Sequence, residues 1–385
     1  MTASNSTLCR YLLAMSIGLV PLATQAEILF EENFDDQPDY TTTLHTTDTV
    51  QVAAQGYTIP QDWTAVYQGT EWSPELGFPN QHASHEILAR NSDKARGETG
   101  KSMVNWRESV TQDSGRIRWN SDSQLIKAPI DANNPGGTEE LYVEFWIRFS
   151  ENWYQRGPYD GGWMTKIFRA ASWTPGGNMF SGGQRDLGPM FYWDYKADNY
   201  GLRNVTAYRG GPPANASGTD NYKVSSVESF GESGNYNALD IAGEGVGGTD
   251  PQLTDQIHGG LLAETTDLVS HEMLFGPPTH WTKVAFYLKM NSAPGVPDGV
   301  LSQYINGHRI KHHDNIPWVE TNEQNMMVKW NHFSIGGNDY FAPKPNEEKF
   351  EDWYAIDDLV VMSHLPESLQ IATPKPSPPS NLAVQ

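Results

Sequence analysis

The stretch between residues 281 and 310 most constrains what this chain can fold into. It alternates apolar and polar side chains with a period of two, which is typical of a half-buried antiparallel strand. The apolar positions of this first strand are Val284, Phe286, Leu288 and Met290. A Pro/Gly-rich loop, a second strand from Val300 to Ile305 and the dipeptide Asn306-Gly307 follow. Because this dipeptide favours turns with positive φ at both residues, we predict a hairpin that ends in a tight turn.

The polar face of this hairpin indicates a class of ligand. Its first strand presents Lys283, Tyr287 and Lys289, and its second presents either a Ser/Tyr or a Gln/Ile face. Basic and aromatic groups on a flat, partly open sheet suit a sugar polymer better than a small metabolite. We therefore predict that Lys283, Tyr287 and Lys289 contact a polysaccharide.

The residues from Leu141 to Ser150 form a second, even more regular strand pattern. The apolar side chains fall on one face: Leu141, Val143, Phe145, Ile147 and Phe149. The opposite face holds Tyr142, Glu144, Trp146 and Arg148. We expect the apolar face to belong to the core. The second face is either a sugar-binding surface, which makes these four residues substrate-binding candidates, or a contact with a covering loop.

Composition favours an all-β fold. The 385 residues include 13 Trp, 17 Tyr, 35 Gly and 25 Pro, and no long amphipathic helix is evident. Aromatic strands separated by Gly/Pro turns are typical of a β-sandwich or jelly roll of two packed antiparallel sheets. A Gly-, Ser- and Asp-rich stretch from about residue 210 to 280 interrupts the strand pattern, and a loop of that length is often a lid or binding loop.

The two ends of the sequence predict a secreted protein with one main domain. Residues 1–26 combine Arg10, an apolar run and small residues after it, as in a secretory signal peptide. The single cysteine, Cys9, lies there, so the mature chain has neither disulfides nor a cysteine nucleophile. Residues 27–370 form the predicted domain. The Pro-rich segment 371–385 is a linker or the start of a truncated fibronectin type III-like module.

Charge is unevenly distributed along the chain. The net charge is −21, yet the segment from Arg90 to Arg209 holds 16 basic and 14 acidic residues, which leaves 10 basic and 33 acidic elsewhere. The overall excess is explained by solubility, and the near-neutral middle is compatible with a local positive groove for an anionic polymer. No basic stripe exists to neutralise many phosphates, so nucleic acid is not an expected partner. The mature chain has no predicted membrane span, and we expect a monomer.

Carboxylates near both ends of the domain predict a structural Ca²⁺ site. Glu32 and Asp35 lie by the first strand, and Asp357 and Asp358 lie in the last strand. First and last strands are commonly neighbours in jelly rolls, and clustered carboxylates there need a hard cation to relieve their repulsion. The alternative is that one aspartate of the pair is exposed while the other accepts backbone hydrogen bonds. No organic cofactor is expected.

Several common catalytic motifs are absent from the sequence. It contains neither Glu-x-Asp-x-Glu nor Gly-x-Ser-x-Gly. Glu140 and Glu144 share a strand face but are ~13 Å apart, which exceeds the separation that glycoside hydrolysis needs. A carboxylate pair from different strands remains possible, so a glycoside hydrolase stays an alternative.

Motifs spread over most of residues 28–365 resemble a known family. They are the strand 141–149, Gly161-Gly-Trp-Met-Thr-Lys166, the strands 281–291 and 298–307, Ser334-Ile-Gly-Gly337 and Tyr354-Ala-Ile-Asp-Asp358. Their order is similar to that in concanavalin A-like jelly-roll polysaccharide lyases of the alginate/glucuronan lyase type, which are related to heparin lyase I. The resemblance implies a lyase that cleaves an acidic, uronate-containing polysaccharide by β-elimination.

The resemblance also implies catalytic residues. In the family a Gly-Gly-Lys strand places a lysine in the concave groove, and Lys166 matches it in position. The hairpin between Met190 and Arg209 takes the place of the Ser-x-Arg and Tyr-x-Tyr strands without those literal motifs. It offers Tyr192, Arg203 and Tyr208. A non-catalytic carbohydrate-binding module is the other alternative, since such modules share the scaffold.

Overall fold

The computed structural model describes residues 26–42, 49–69, 82–108, 121–151, 153, 163–173, 189–198, 201–209, 237–240, 271–319, 321–341, 347 and 350–370. In this part of the chain nearly all regular structure is β, arranged in two antiparallel sheets packed face to face. The prediction of an all-β jelly roll with two packed sheets is confirmed. Among the described residues, no helix has the length and apolar character needed to cross a membrane.

The first sheet, called sheet A, contains the strands that carry the clearest sequence patterns. Its strand order is β15-β14-β13-β8-β17-β6-β5-β2, with β1 paired to β17. Its strands are β1 (Ile28–Glu32), β2 (Tyr40–Thr41), β5 (His85–Ile87), β6 (Met103–Glu108), β8 (Glu140–Phe149), β13 (Thr282–Lys289), β14 (Gly299–Ile305), β15 (His308–Ile316) and β17 (Glu351–Met362). The expected pairing of the first strand with the last is confirmed.

The second sheet, sheet B, has the order β12-β11-β10-β9-β16-β7-β4-β3. Its strands are β3 (Thr49–Gln51), β4 (Ala65–Gln68), β7 (Ser121–Lys127), β9 (Trp163–Ala171), β10 (Met190–Asp198), β11 (Gly201–Arg209), β12 (Asn237–Asp240) and β16 (His332–Phe341). Two short helices, α1 (His271–Phe275) and α2 (Glu367–Gln370), and 3₁₀ turns at Ala53–Gln55 and Ala89–Lys94 complete the described elements. β12 and α1 fall within the segment 210–280, and the rest of its loop, up to residue 270, lies outside the described residues.

The core lies between the two sheets and is built from their apolar faces. Every residue of the predicted apolar face of β8 is at most 2% exposed. Aromatic rings meet across the interface: the Phe168 ring of sheet B stacks on Phe286 of sheet A at 5.3 Å and lies 5.9 Å from Phe145. Such ring pairs add to the free energy gained by burying apolar area.

The predicted hairpin is confirmed, and its register resolves which face lies outward. β13 pairs with β14 so that Tyr287 is opposite Ser302 and Ala285 is opposite Tyr304. The Ser/Tyr face of β14 therefore adjoins the polar face of β13. Asn306 and Gly307 have φ of 51° and 82° and turn the chain from β14 into β15.

The predicted signal peptide, except Ala26, and the segment 371–385 lie outside the described residues. The division into a signal peptide, a domain from 27 to 370 and a terminal linker stays a prediction.

Candidate functional site

Polar side chains gather on the face of sheet B that points away from the core. Antiparallel pairing places Asp194 of β10 opposite Lys166 of β9, and Tyr192 opposite Arg169. On the other side of β9, Ser334 of β16 is opposite Arg169. Side chains of directly opposed residues are about 5 Å apart at Cβ, so these groups are neighbours.

His332 extends this group at the beginning of β16. It is opposite Ala171, two residues from Ser334, and therefore shares the face of Ser334 and Arg169. We call the group of Lys166, Arg169, Tyr192, Asp194, His332 and Ser334 the sheet B patch. The hydroxyl of Ser334 donates a hydrogen bond of 2.9 Å to Oε1 of Gln124 in β7, which fixes the patch to the next strand.

A bulge explains how Lys166 comes to lie on this face. Strict alternation would put Lys166 and Phe168 on the same side of β9, but the register shifts between Trp193 and Asp194, where Ile167 has no direct partner. Phe168 is thus free to enter the core while Lys166 joins Arg169 on the opposite face.

A glycine in the neighbouring strand makes room for the lysine. A Cβ on Gly337 would lie 2.4 Å from the carbonyl oxygen of Lys166 and 2.9 Å from its Cβ. Any larger residue at 337 would therefore push β9 and β16 apart at the patch.

The electrostatics of the patch combine two cationic side chains, the carboxylate of Asp194 opposite Lys166, a phenol and a neutral imidazole. The ammonium of Lys166 lies 5.5 Å from the centre of the Tyr192 ring. Burial, reinforced by the positive charge of Arg169, lowers the pKa of His332 to about 3, so its imidazole is neutral at pH 7. Neither ring nitrogen of His332 has a hydrogen-bond partner within the described part of the chain.

The patch is also largely withdrawn from solvent. His332, Tyr192, Arg169 and Asp194 are 1%, 2%, 3% and 5% exposed, and Lys166 is half-buried. A charged guanidinium and ammonium in such surroundings interact more strongly with an anionic group than they would in water. The arrangement brings a guanidinium, a phenol and a neutral imidazole together on three adjacent strands, which are groups able to attract an anion and to exchange protons.

Two of the predicted catalytic residues, Lys166 and Tyr192, are brought together here. For the other two the structure describes only backbone register: Arg203 is opposite Lys196, and Tyr208 is opposite the core residue Phe191. Their side chains lie outside the description. By register, Arg203 is opposite a β10 residue of the same alternation as Tyr192, whereas Tyr208 is opposite a β10 residue that belongs to the core. Both catalytic assignments stay predictions.

Four patch residues were missed by sequence reasoning: Arg169, Asp194, His332 and Ser334. Asp194 lies two residues after Tyr192 in a recognised strand, so this spacing could have placed both side chains on the same face. His332 and Ser334 alternate with core residues Phe333 and Ile335 just before the recognised Gly336-Gly337. Nothing local relates Arg169 to them, because the pairing joins segments more than 160 residues apart.

The predicted substrate-binding residues lie on the outer face of sheet A, on the opposite side of the sandwich from the patch. They are Tyr142, Glu144, Trp146 and Arg148 in β8 and Lys283, Tyr287 and Lys289 in β13, and the two strands are directly paired. The structure does not bring these seven residues to Lys166 and Tyr192. One ligand chain cannot lie on both outer faces at the same subsite, so the two sets are separate candidate surfaces.

Side chains of the sheet A set pair with one another. Lys283 Nζ is 3.1 Å from Glu144 Oε1, and the Tyr142 hydroxyl donates a 2.7 Å hydrogen bond to the other oxygen of Glu144. Lys289 and the Tyr287 hydroxyl engage Glu140 in the same way, at 3.2 and 2.7 Å. The positive charges of Lys283 and Lys289 are therefore compensated by carboxylates of the neighbouring strand.

Trp146 and Arg148 belong to stacked cation–aromatic pairs on the same face. The guanidinium of Arg96 lies 4.2 Å from the centre of the Trp146 ring, and that of Arg148 lies 5.4 Å from the centre of Trp353. Arg148 also donates hydrogen bonds to the carbonyl oxygens of Pro278 and Asp93.

Of the predicted calcium ligands, Glu32 is held by protein donors. Its carboxylate accepts hydrogen bonds from the amide of Phe34 at 2.6 Å, from Gln37 Nε2 at 2.5 Å and from Trp63 Nε1 at 3.1 Å. Burial raises the pKa of Glu32 despite these donors.

The other three predicted ligands are likewise engaged. Asp35 accepts a hydrogen bond from the amide of Lys101, Asp357 accepts from the amides of Arg96 and Asp358, and Asp358 pairs with the Arg96 guanidinium. Burial raises the pKa of Asp357 to about 7. Among the described residues, no group of three or more His, Cys, Asp or Glu side chains is placed to hold a metal ion. Calcium binding stays a prediction.

Comparison with known proteins gives distant structural likenesses. No protein-family model and no curated protein sequence matches the chain. A structure of alginate lyase Aly36B, a mutant in complex with alginate tetrasaccharide, is 11% identical with a TM-score of 0.42, over 86% of this chain and 95% of that one. The PL-14 alginate lyase from the marine Aplysia kurodai is 9% identical with a TM-score of 0.39, over 72% of this chain and 86% of that one. The botulinum neurotoxin serotype C1 binding domain is 11% identical with a TM-score of 0.28, over 70% of this chain and 46% of that one.

Proposed function

We propose that this chain is a secreted polysaccharide lyase that cleaves an acidic, uronate-containing polysaccharide by β-elimination at the sheet B patch. The observation that carries the proposal is the central position of Arg169, which has Tyr192 on one neighbouring strand and His332 with Ser334 on the other. Elimination from a uronate requires a cation to neutralise the carboxylate, a base and an acid, and this arrangement offers a cation flanked by two groups able to exchange protons.

The first requirement is to make the proton at C5 of the uronate acidic. A carboxylate beside C5 resists removal of that proton until its negative charge is neutralised. Arg169 is suited to this role because its guanidinium holds a carboxylate in a fixed, two-pronged geometry. Lys166 contributes a second positive charge on the same strand, as the next side chain along its outer face.

The second requirement is a base. His332 is neutral at pH 7 because burial lowers the pKa of its imidazole to about 3, and neither of its ring nitrogens has a hydrogen-bond partner among the described residues. We assign His332 to accept the C5 proton. The electrons of the C5–H bond then form the C4=C5 double bond while the C4–O4 bond breaks.

The third requirement is an acid for the leaving oxygen. We assign Tyr192 to give its hydroxyl proton to O4 as that bond breaks, so that the proton count of the step balances. The Lys166 ammonium, 5.5 Å from the ring, stabilises the phenolate that remains. The proton taken up by His332 returns to the phenolate through solvent before the next turnover.

The second candidate function is that of a non-catalytic carbohydrate-binding protein. The specific observation in its favour is that Arg169, Tyr192, Asp194 and His332 are each at most 5% exposed. In that case the sheet B patch is a buried polar network, and ligands bind elsewhere.

One experiment separates these functions. The protein is incubated with alginate, glucuronan, heparin-type and ulvan polymers and with neutral glucans, and near-ultraviolet absorbance and reducing ends are read together. A lyase raises both signals on a uronate polymer. A hydrolase raises only reducing ends, and a binding protein raises neither but is retarded in an affinity gel. Either of the last two results would contradict the proposal.

A further inference from the structure

A cleft of about 660 Å³ opens on the outer face of sheet A, on the opposite side of the sandwich from the sheet B patch. Its lining includes Tyr142, Glu144, Trp146, Lys283 and Tyr304 from the strands and Trp281 just before β13, and the segment leading into α2 forms a further wall. We call this the sheet A cleft. We propose that it binds a neutral saccharide, independently of the sheet B patch.

The floor of the cleft is buried and largely apolar. Tyr142, Ala285 and Tyr304 come from three adjacent strands and are at most 4% exposed. They pack with Leu365 and Leu369 from the segment around α2 in one cluster. A preformed concave floor of this kind lowers the entropy that a ligand loses on binding.

Aromatic side chains form one side of the cleft. Trp146 and Trp281 are half-buried, so part of each indole borders the cleft. The Arg96 guanidinium lies 4.2 Å from the centre of the Trp146 ring and holds it in place. The C–H face of a pyranose ring is apolar and covers such an indole without loss of hydrogen bonds, while the sugar hydroxyls remain free to reach polar groups.

The charges that line the cleft cancel. Lys283 and Glu144 are 3.1 Å apart, and Tyr142 donates a hydrogen bond to the same carboxylate. A uronate entering here would compete with Glu144 for the lysine and would face the carboxylate at short range. A neutral sugar meets no such repulsion, and its hydroxyls both donate to Glu144 and accept from Lys283. The cleft is therefore matched to an uncharged sugar.

The sheet A cleft is physically separate from the patch. The two sites lie on the outer faces of two sheets whose mean planes are about 10 Å apart with the core between them. Sugar binding in the sheet A cleft therefore does not depend on the proposed elimination reaction at the sheet B patch.

Binding of defined neutral sugars tests the proposal. Cellohexaose, laminarihexaose and mannohexaose are titrated into the full chain by calorimetry, with a hexameric oligouronate as the charged counterpart. We expect at least one neutral hexasaccharide to bind with a Kd of about 0.1–1 mM, and the oligouronate not to displace it. Absence of binding by all three neutral sugars, or displacement by the oligouronate, would overturn the proposal.

Matched tryptophan variants locate the site. Trp146→Ala is expected to weaken neutral-sugar binding about tenfold or more, because it removes an aromatic anchor of the cleft. Trp353→Ala is the control: Trp353 is also a half-buried indole on the outer face of sheet A with a guanidinium nearby, but it does not line the cleft. Equal loss in both variants, with both folded, would contradict the assignment.

A second variant guards against a folding defect in Trp146→Ala. Ser368 is exposed on α2 at the cleft wall, so Ser368→Trp fills the cleft without disturbing the core. We expect it to keep the melting temperature of the wild type and to weaken neutral-sugar binding about tenfold. Unchanged binding by this folded variant would overturn the proposed location.

Discussion

Arg169 of β9 lies directly opposite Tyr192 of β10, on the face of sheet B that points away from the core. This pairing places a permanent cation beside a phenol at a position where the strand on the other side contributes His332 and Ser334. The proposed chemistry follows from that relationship, because the charge and the proton carriers are supplied by three adjacent strands of one sheet.

The charge of Lys166 is expected to matter for turnover. Lys166→Ala should lower the rate of uronate elimination by about 10²–10³-fold while leaving the melting temperature nearly unchanged, since one preorganised stabilising group is lost and no core residue is altered. Absorbance of the unsaturated product gives the rate. Lys329→Ala is the control, because Lys329 is a 46% exposed lysine that pairs with Glu139 away from the patch. Full activity in Lys166→Ala would refute the placement of the active site.

The phenolic proton of Tyr192 is expected to act in the chemical step. Tyr192→Phe keeps the ring beside Lys166 and removes only the hydroxyl. We therefore expect kcat to fall by about 10²-fold or more with KM nearly constant. A rise in KM at constant kcat would instead mean that the hydroxyl only holds the ligand.

The buried histidine makes the protein sensitive to acid. Because burial lowers the pKa of His332 from 6.5 to about 3, the unfolded chain takes up a proton below pH 6.5 that the folded chain does not. The stabilisation is complete above pH 6.5 and is lost as pH falls towards 3, by about 1.4 kcal/mol per pH unit. Urea unfolding between pH 7 and 4 should show that the free energy of unfolding of His332→Asn falls less steeply with decreasing pH than that of the wild type. His308→Asn, at an exposed position of β15, is the control, and an equal change in both variants would argue against this account.

The two faces of β8 are expected to differ in their importance for folding. Phe145 is fully buried among Phe168, Trp193 and Phe286, so Phe145→Ala should lower the free energy of unfolding by roughly 3–5 kcal/mol. Glu144→Ala should cost about 1 kcal/mol or less, since its ion pair with Lys283 is partly exposed. Denaturant midpoints measure both. Similar losses would mean that the outer face of β8 is as important to folding as the core.

Much of sheet A could be predicted from the sequence, and particular residues show why. In β8 and β13 large apolar residues recur at every second position and most residues between them are polar or amphipathic, so the period of two identified both the strands and their core faces. The sequence did not show which face of β14 points outward, because one face holds Ser302 and Tyr304 and the other holds Gln303 and Ile305, and each face combines a polar residue with a large one. Register with β13 removed that ambiguity.

The sheet B patch could be predicted only in part. Lys166 and Tyr192 were identified, but the bulge at Ile167 breaks the alternation that would have connected Lys166 with Arg169. His332 joins them through pairing between distant segments, which a local pattern cannot reveal. The alternation identified the outward faces of β8 and β13 as candidate sugar-binding surfaces, but it could not show that these faces lie on the opposite side of the sandwich from Lys166 and Tyr192.

The predicted Ca²⁺ site has a direct thermal test. A cation that binds only the folded state raises the melting temperature, so a chelator should lower it, and Asp357→Ala should abolish that response. Lys101 and Arg96 already provide donors to Asp35, Asp357 and Asp358. Identical melting curves with and without chelator would mean that these protein donors suffice.

The masses of the products from a defined oligouronate test the central claim most directly. Elimination leaves the new non-reducing fragment lighter by one water molecule than hydrolysis does. We predict that the wild type releases such unsaturated fragments from at least one uronate hexamer, and that Arg169→Gln, which keeps a shorter polar side chain but removes the positive charge, releases about 10²–10³-fold less. Fragments with the mass of hydrolysis products, or undiminished release by a folded Arg169→Gln variant, would contradict elimination at the sheet B patch.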